Sequence, residues 1–279
     1  MLNEKHERLR ALLRGYGSCL VAYSGGVDSA FLLKVAVLHL GRDRVLGILA
    51  DSPSLPRREK AEAEALAARM GAALRVVQTH EVEDPRYASN PVNRCYFCKS
   101  TLYELLSTVA VSEGFDAVAD GTNLDDASEV RPGRAAAREH GISSPLLDAE
   151  LRKGDVRQLS RLMGLPTWDK PAAPCLASRI PFGQAVDEDK LAQVEAAEEA
   201  LRACGIRGGR VRHHGDIARV ELPAEWIALL ATPELRAQLV QGVRAAGFLY
   251  VAVDLEPYRR GRLHDAIDAA TPSAAGPKR

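Results

Sequence analysis

The chain has 279 residues, 46% of them hydrophobic, and its 37 Lys and Arg residues balance its 37 Asp and Glu residues. A chain of this size buries a large core and is expected to form two domains. The balanced charge argues against a nucleic-acid backbone as the main partner, and no apolar run reaches the roughly 18–20 residues of a membrane-spanning helix. Without a signal peptide the protein is expected to be cytoplasmic, with its five cysteines present as thiols, metal ligands or catalysts.

The first strand, predicted over 19–23, runs into a glycine-rich turn with the sequence SGGVDS at 24–29, and a helix is predicted over 30–40. Glycines let the backbone approach an anion, and a helix N-terminus offers free N–H groups to it. A plain tight turn is the alternative. The stretch is neither a P-loop nor a dinucleotide fingerprint. It resembles the PP-loop of the N-type ATP pyrophosphatases, which cleave ATP to AMP and pyrophosphate while adenylating a substrate.

Apolar strands then alternate with helices. Strands are predicted over 45–50, 74–78 and 117–119, and an Ala- and Glu-rich helix over 57–70. Continuous apolar strands separated by helices predict a doubly wound parallel sheet of the α/β class. Because ligands bind at the carboxyl ends of such strands, the glycine-rich turn, Asp51 and Asp120 are expected to share one site.

The pattern changes after a proline-rich loop at 166–183. A helix is predicted over 187–204, a hairpin turning at 215–216, helices over 223–230 and 234–246, and a strand over 248–255. These elements predict a smaller α+β domain. The expected organisation is an ATP-binding domain at 1–168, a cysteine-bearing linker at 169–186, the second domain at 187–264 and a disordered tail at 265–279.

Three cysteines stand out. Cys95 and Cys98 have the C-x2-C spacing of metal ligands just before a helix expected from Lys99, and Cys175 lies in a Pro-bounded loop near Arg179. Together they could hold zinc, with Cys204, His213 or His214 as the fourth ligand, or a [4Fe–4S] cluster with one open iron. An unrelated C-x2-C pair is the third alternative. Cys19 and Cys204 are expected to serve packing.

Longer stretches resemble the LarE family, whose members are ATP-dependent sulfur transferases that make the nickel-pincer cofactor of lactate racemase. The resemblance covers about residues 5–264 and includes the segments that begin at Leu49, Gly121, Arg131, Trp168, Cys175 and Arg210. It implies that ATP adenylates a carboxylate of pyridinium-3,5-biscarboxylic acid mononucleotide and that sulfur delivered through Cys175 displaces AMP. Single-cysteine members sacrifice that cysteine. The extra Cys95 and Cys98 imply the three-cysteine subtype, in which a [4Fe–4S] cluster carries sulfide.

The resemblance also implies site residues. Cys175 and Asp28 would be catalytic, with Mg²⁺ near Asp28. The ATP site would contain Ser24, Gly25, Gly26, Asp28, Ser29, Asp51, Gly121 and Asp125. The substrate phosphate would contact Ser178, Arg179, Arg210 and Arg212. Cys95, Cys98 and Cys175 would hold the cluster, and Glu198 and Glu221 match acidic positions linked to metal.

Expected partners are the nucleotide substrate, a sulfide donor, other cofactor-biosynthesis proteins and further copies of the chain. Three other functions compete with sulfur transfer. A tRNA thiolase shares the PP-loop, but the neutral charge and the lack of zinc-ribbon cysteine pairs argue against it. A synthetase of the NAD or GMP kind has no use for the three cysteines. A nucleotide-binding sensor with structural zinc would contain no iron.

Overall fold

The structure, a computed structural model, describes residues 2–127, 132–259 and 261–262. Arg131 and the predicted tail at 265–279 lie outside them. The chain divides into two compact units: the first comprises Met1–Tyr87 and Val92–Pro174, and the second comprises Ala88–Pro91 and the chain from Cys175 onward. The division falls inside the stretch 169–186 that was expected to be a linker.

The first unit alternates helices with short parallel strands. Its elements are α1 (Leu2–Arg14), β1 (Cys19–Ala22), α2 (Val27–Leu40), β2 (Val45–Asp51), α3 (Arg57–Met70), β3 (Ala73–Gln78), α4 (Pro85–Ala88), α5 (Arg94–Glu113), β4 (Ala117–Ala119), α6 (Leu124–Ala127), α7 (Pro132–Glu139), α8 (Pro145–Asp148) and α9 (Lys153–Leu162).

The four strands form one parallel sheet in the order β3-β2-β1-β4. Alternate residues of β1 enter two different cores: Val21 packs with α2, whereas Leu20 packs with Tyr103 and Leu106 of α5. Both faces of the sheet are therefore covered, as the apolar strands predict. The chain moves outward from β1 to β3 and returns to β4 on the other side of β1, which opens a crevice at the carboxyl ends of β1 and β4.

Helix boundaries follow local chemistry. Pro56 precedes α3, and Gly71 ends it in the left-handed conformation with φ 67°. Helix α2 begins at Val27, three residues earlier than predicted, because Val27, Asp28 and Ser29 form its first turn. The glycine-rich turn is thus itself the N-terminus of a 14-residue helix.

The second unit is a helix-covered three-stranded sheet. A 3-10 turn (Leu176–Arg179) precedes its main elements, which are α10 (Glu188–Ala203), β5 (Arg210–His214), β6 (Ile217–Glu221), α11 (Ala224–Leu229), α12 (Pro233–Ala245) and β7 (Tyr250–Val253). Asp187 caps α10 by accepting a hydrogen bond from the Lys190 N–H.

Strands β5 and β6 form the predicted antiparallel hairpin, and β7 pairs with β6 in parallel. Val211, Ala218 and Val220 point to a core shared with α10 and α12, so the arginines at alternate positions lie on the opposite face. The predicted α/β class with a smaller α+β unit is confirmed. In the part of the chain that the structure describes, no helix combines the length and apolarity needed to cross a membrane.

Candidate functional site

The glycine-rich turn is closed by its two serines. The Ser24 N–H donates to Ser29 Oγ at 3.1 Å, and the Ser24 and Ser29 hydroxyls lie 3.1 Å apart. Ser24 Oγ also accepts a bond from the Gly26 N–H at 3.4 Å. These bonds curl the backbone around the first turn of α2, where N–H groups lack intrahelical partners. Such a turn is suited to phosphate oxygens.

Two glycines allow α3 and the end of β4 to approach this turn closely. Gly25 has φ 70°, and a Cβ added to it would lie 2.5 Å from the Cβ of Ala63 on α3. A Cβ on Gly121, after β4, would lie 2.9 Å from the Ser29 backbone nitrogen. Neither position has room for a larger side chain. The turn and the end of β4 therefore form the two walls of the crevice.

Asp28 points into an ion pair that the sequence analysis did not predict. Lys153, the first residue of α9, places its ammonium against Asp28 Oδ2, and Asn123 Nδ2 donates to Oδ1 at 3.4 Å. Burial raises the pKa of Asp28, and the Lys153 ammonium offsets only part of that effect. Additional positive charge, such as a divalent cation, would stabilise this carboxylate.

Asp125 and Asn123 hold Lys153 in place. Asp125 accepts the Lys153 N–H at 2.9 Å and the Arg152 guanidinium at 2.7 Å, and these contacts lower its pKa. The Asn123 side chain accepts the Asp125 N–H at 3.0 Å. The predicted ATP-site residue Asp125 thus positions the start of α9. No local sequence pattern connects Lys153 with Asp28, which lies 125 residues earlier.

Asp51, at the end of β2, is paired with two cations. Arg57 and Lys60, both on α3, each contact one of its carboxylate oxygens. Burial opposes ionisation of Asp51, but hydrogen bonds from Lys60 and Arg57 outweigh burial and lower its pKa. Asp120, at the end of β4, is surrounded by neutral donors, with Tyr103, Thr122 and Ser144 hydroxyls each at 2.8 Å. Asp120 thereby fixes the backbone that leads into Gly121.

In the second unit, Cys175 immediately precedes the 3-10 turn and is partly exposed. Its carbonyl oxygen accepts the Ser178 N–H at 3.0 Å and Arg179 Nη1 at 3.0 Å. The residues that follow are held by Asn90, which is fully buried with φ 54°. Its amide donates to Pro181 O at 2.8 Å, and its carbonyl accepts the Gly183 N–H at 3.0 Å. The backbone from Cys175 to Gly183 is therefore held by hydrogen bonds from Arg179 and Asn90.

The predicted phosphate-binding arginines differ in how much hydrogen-bonding capacity they keep. Arg179 forms a two-bond pair with Glu198, at 2.8 and 3.0 Å, and Arg212 binds Glu221 Oε2 at 2.6 and 3.0 Å. All four side chains are buried. Arg212 also donates to Ser178 O at 2.9 Å. Glu198 and Glu221, expected near metal, are instead bound by guanidinium groups.

Arg210 is the arginine of this set with spare capacity. Its Nη1 donates to Gly209 O at 2.8 Å, and its guanidinium lies 5.2 Å from the centre of the Tyr258 ring. Its buried Nε has no hydrogen-bond partner. Burial and the nearby Arg179 charge lower the pKa of Arg210. A bound anion would accept a hydrogen bond from Arg210 Nε and would also compensate the positive charge of the guanidinium.

Cys95 and Cys98 lie inside the first turns of α5, which begins at Arg94 rather than at Lys99 as expected. Three residues apart, the two thiols share one face of the helix. Among residues 2–127, 132–259 and 261–262, no group of three or more His, Cys, Asp or Glu side chains is arranged to hold a metal ion. The structure therefore lends no support to the zinc, cluster or Glu198 and Glu221 metal sites.

In the described part of the chain, Cys19, Cys204, His213 and His214 belong to no group of side chains that could hold a metal ion. Cys19 is buried in β1, and burial raises the pKa of its thiol to about 12. Cys204 is partly buried beside the second core. His213 is buried against Phe248, whereas His214 is exposed, as their alternation along β5 predicts.

Comparisons with known proteins agree with this geometry. Residues 3–90 match the NAD synthase family. An uncharacterized protein of Synechocystis sp. is 46% identical over 96% of this chain and 99% of its own length. The pyridinium-3,5-bisthiocarboxylic acid mononucleotide synthase of Lactiplantibacillus plantarum is 37% identical over 96% of this chain and 97% of its own length. An NH(3)-dependent NAD(+) synthetase of Methanococcoides burtonii is 26% identical over 72% of this chain and 76% of its own length. The chain therefore belongs to the family of the pyridinium-3,5-bisthiocarboxylic acid mononucleotide synthase, the LarE family.

Proposed function

We propose that the protein is an ATP-dependent sulfur transferase that converts the two carboxylates of pyridinium-3,5-biscarboxylic acid mononucleotide into thiocarboxylates. The observation that carries this proposal is the Cys175 loop, where a partly exposed thiol is held beside arginines in a chain that also contains a PP-loop. The name of the Lactiplantibacillus plantarum relative specifies the product. The expected cytoplasmic location agrees with this activity, because ATP is available there.

The first step is adenylation in the first unit. A substrate carboxylate oxygen attacks the α-phosphorus of ATP, the new phosphorus–oxygen bond forms, and the bond to the departing pyrophosphate breaks. The turn at 24–29 donates N–H groups to the phosphates, and Lys153 supplies a positive charge beside them. Asp51, Gly121 and Asp125 border the same crevice. Mg²⁺, held by Asp28, would neutralise the developing charge on pyrophosphate.

The second step uses sulfur from the Cys175 position. The thiolate attacks the carbonyl carbon of the acyl adenylate, the carbon–sulfur bond forms, and AMP leaves with the electrons of the carbon–oxygen bond. In a sacrificial route the resulting thioester loses the Cα proton of Cys175 and its Cβ–Sγ bond breaks. The products are the thiocarboxylate and a dehydroalanine. Because this route consumes Cys175, the second carboxylate undergoes the same steps on another copy of the protein that still has its Cys175 thiol.

Recognition of the substrate phosphate is assigned to the second unit. Arg210 contributes the unpaired Nε, and Ser178, Arg179 and Arg212 are hydrogen-bonded to one another beside it. A guanidinium suits a phosphate because its N–H groups match the spacing of the oxygens. Glu198 and Glu221 keep the other two guanidinium groups engaged, so Arg210 is the main phosphate ligand in this proposal.

A [4Fe–4S] cluster is the finer part of the proposal. Cys95, Cys98 and Cys175 supply the thiolates that such clusters bind, and the first two share a helix face. Bound there, the cluster would supply an open iron that accepts sulfide from a donor, so that Cys175 would not be consumed. Other cofactor-biosynthesis proteins and further copies of the chain are the expected partners.

The test is anaerobic purification followed by iron, sulfide and zinc analysis, with product measured by mass spectrometry. We expect ATP-dependent pyrophosphate release and a mass gain on the substrate from replacement of oxygen by sulfur. About four iron atoms per chain would support the cluster. An iron-free protein whose Cys175 loses the mass of H₂S would support the sacrificial route. Absence of any thiocarboxylate with this substrate would contradict the proposed function.

A further inference from the structure

Glu198 is a buried carboxylate whose two oxygens are both engaged by the protein. It lies in α10 and is 3% exposed. Oε1 accepts Arg179 Nε at 2.8 Å and the Val211 N–H at 3.2 Å, and Oε2 accepts Arg179 Nη2 at 3.0 Å. Two parallel hydrogen bonds between a carboxylate and a guanidinium fix the orientation of both planar groups. The orientation of Arg179 is therefore set by Glu198.

The remaining edge of Arg179 holds the cysteine loop. Its Nη1 donates to Cys175 O at 3.0 Å and to Ser178 Oγ at 2.9 Å. The same Cys175 carbonyl accepts the Ser178 N–H that closes the 3-10 turn. Glu198 is thus connected, through one guanidinium, to the backbone of the residue that carries the thiol.

This pair is costly if stability is its only purpose. Arg179 is also only 3% exposed, and removing two charges from water has a large free-energy cost before their attraction is counted. Apolar side chains of similar volume often stabilise a protein as well or better. A metal ion at Glu198 would have to displace Arg179 from the carboxylate. The contacts instead favour an organising function directed at the Cys175 loop.

We infer that Glu198 is a positioning residue for sulfur transfer, acting through Arg179 to fix the backbone at Cys175. This inference rests on the proposed function, in which Cys175 delivers sulfur to an acyl adenylate. Reacting atoms must approach within about 3–3.5 Å, and a displacement of about 1 Å can cost 100-fold in rate. When the thiol is displaced, water hydrolyses the adenylate and AMP is released without product.

The experiment measures coupling, defined as thiocarboxylate formed per pyrophosphate released, in the full-length enzyme. Glu198→Gln keeps the size of the side chain and an oxygen for the Val211 N–H, but loses the charge that binds Arg179. We expect at least a tenfold fall in coupling with pyrophosphate release within twofold of wild type. Arg179→Gln should lower coupling similarly, and the double variant should fall no further, because the two residues act in series.

The matched control is Glu199→Gln, at the next position of the same helix. Glu199 is exposed and pairs with Arg202, so coupling should stay at the wild-type value. A second readout needs no catalysis. Hydrogen–deuterium exchange at the Ser178 amide should accelerate at least tenfold in Glu198→Gln and stay unchanged in Glu199→Gln.

Three results would overturn the inference. The first is wild-type coupling and Ser178 exchange in Glu198→Gln. The second is a parallel loss of pyrophosphate release and product that follows the melting temperature, which would indicate a structural function only. The third is restoration of coupling by excess Mn²⁺, which would make Glu198 a metal ligand. If Glu198→Gln does not fold, Arg179→Lys tests the same prediction with the carboxylate still paired. Failure of the proposed function differs from all of these, since wild type itself would then form no thiocarboxylate.

Discussion

The charged groups of the two units are arranged in opposite ways. In the first unit, Asp28 meets a single ammonium from Lys153, and burial still raises its pKa. In the second unit, Glu198 and Glu221 are each bound by a guanidinium with good geometry. In the first arrangement the charge of Asp28 is only partly compensated at the glycine-rich turn, whereas in the second each buried carboxylate is paired with a guanidinium.

This difference indicates two kinds of site. In the proposed function the PP-loop crevice depends on its ligands, because a divalent cation would supply the positive charge that the side chains around Asp28 provide only in part. The arginine and carboxylate cluster pairs its own charges, and Arg179 of that cluster donates a hydrogen bond to the Cys175 carbonyl. Activation and sulfur delivery should therefore respond differently to mutation.

The largest effect is expected at Cys175. Cys175→Ala removes the sulfur nucleophile, so thiocarboxylate formation should be lost completely while pyrophosphate release continues. Parallel assays of pyrophosphate and thiocarboxylate measure the two steps. Cys204→Ala removes a partly buried thiol of the same unit and should leave both unchanged. If Cys175→Ala still formed thiocarboxylate, sulfur delivery could not be assigned to Cys175 in the second unit.

Next in size is the loss of a buried partner in the second unit. Glu221→Gln leaves Arg212 without its carboxylate, which should lower the free energy of unfolding by about 3–5 kcal/mol. Glu113→Gln breaks an exposed pair with Arg75 and should cost much less, because water already screens the two charges. Urea denaturation gives the totals, and hydrogen exchange in β5 and β6 locates the loss. Equal losses of unfolding free energy in Glu221→Gln and Glu113→Gln would contradict the contrast between the buried pair and the exposed pair.

A smaller kinetic effect is expected at Lys153. Lys153→Met removes one preorganised positive group from the adenylation site, so pyrophosphate release should fall about 100-fold, as for loss of one oxyanion donor. Lys5→Met is the control, since Lys5 also pairs with a carboxylate at the start of α9, Asp155 at 2.8 Å, but lies outside the crevice. An unchanged rate in Lys153→Met would mean that Lys153 only neutralises Asp28.

Much of the fold could be predicted from the sequence because its signals are local. The strand at 117–119 and the helix at 57–70 have the predicted bounds, since apolar runs and helix-ending glycines act over a few residues. The strand predicted at 248–255 is shorter, Tyr250–Val253. Helices α1 and α9 were not predicted.

The candidate site was less predictable because its contacts are distant in sequence. The glycine-rich turn could be found, but its ion pair with Lys153 joins residues 125 positions apart. Asn90 holds a loop 90 residues away. Glu198 was expected near metal from the family resemblance, and the sequence around an acidic residue on a helix does not show which cation it contacts. Only the fold brings Arg179 to it.

The smallest effect concerns Asp51, the carboxylate of the first unit that most resembles the second. Its folded pKa is lowered by Lys60 and Arg57 in spite of burial. The stabilisation is therefore fully present above the unfolded pKa of about 3.9 and is lost as the pH falls through the lowered folded pKa. Asp51→Asn should cost about 1 kcal/mol at pH 7, because both partners are partly exposed.

That difference should shrink as the pH drops below about 4, where the wild-type carboxylate also loses its charge. Urea denaturation at pH 7, 5 and 3 measures it, with the exposed Asp43→Asn as control. A cost that is the same at every pH would show that Asp51 acts through packing or neutral hydrogen bonds. Asp51 would then not be stabilised by its charge, and the contrast with the second unit would be sharper than the contacts at Asp51 suggest.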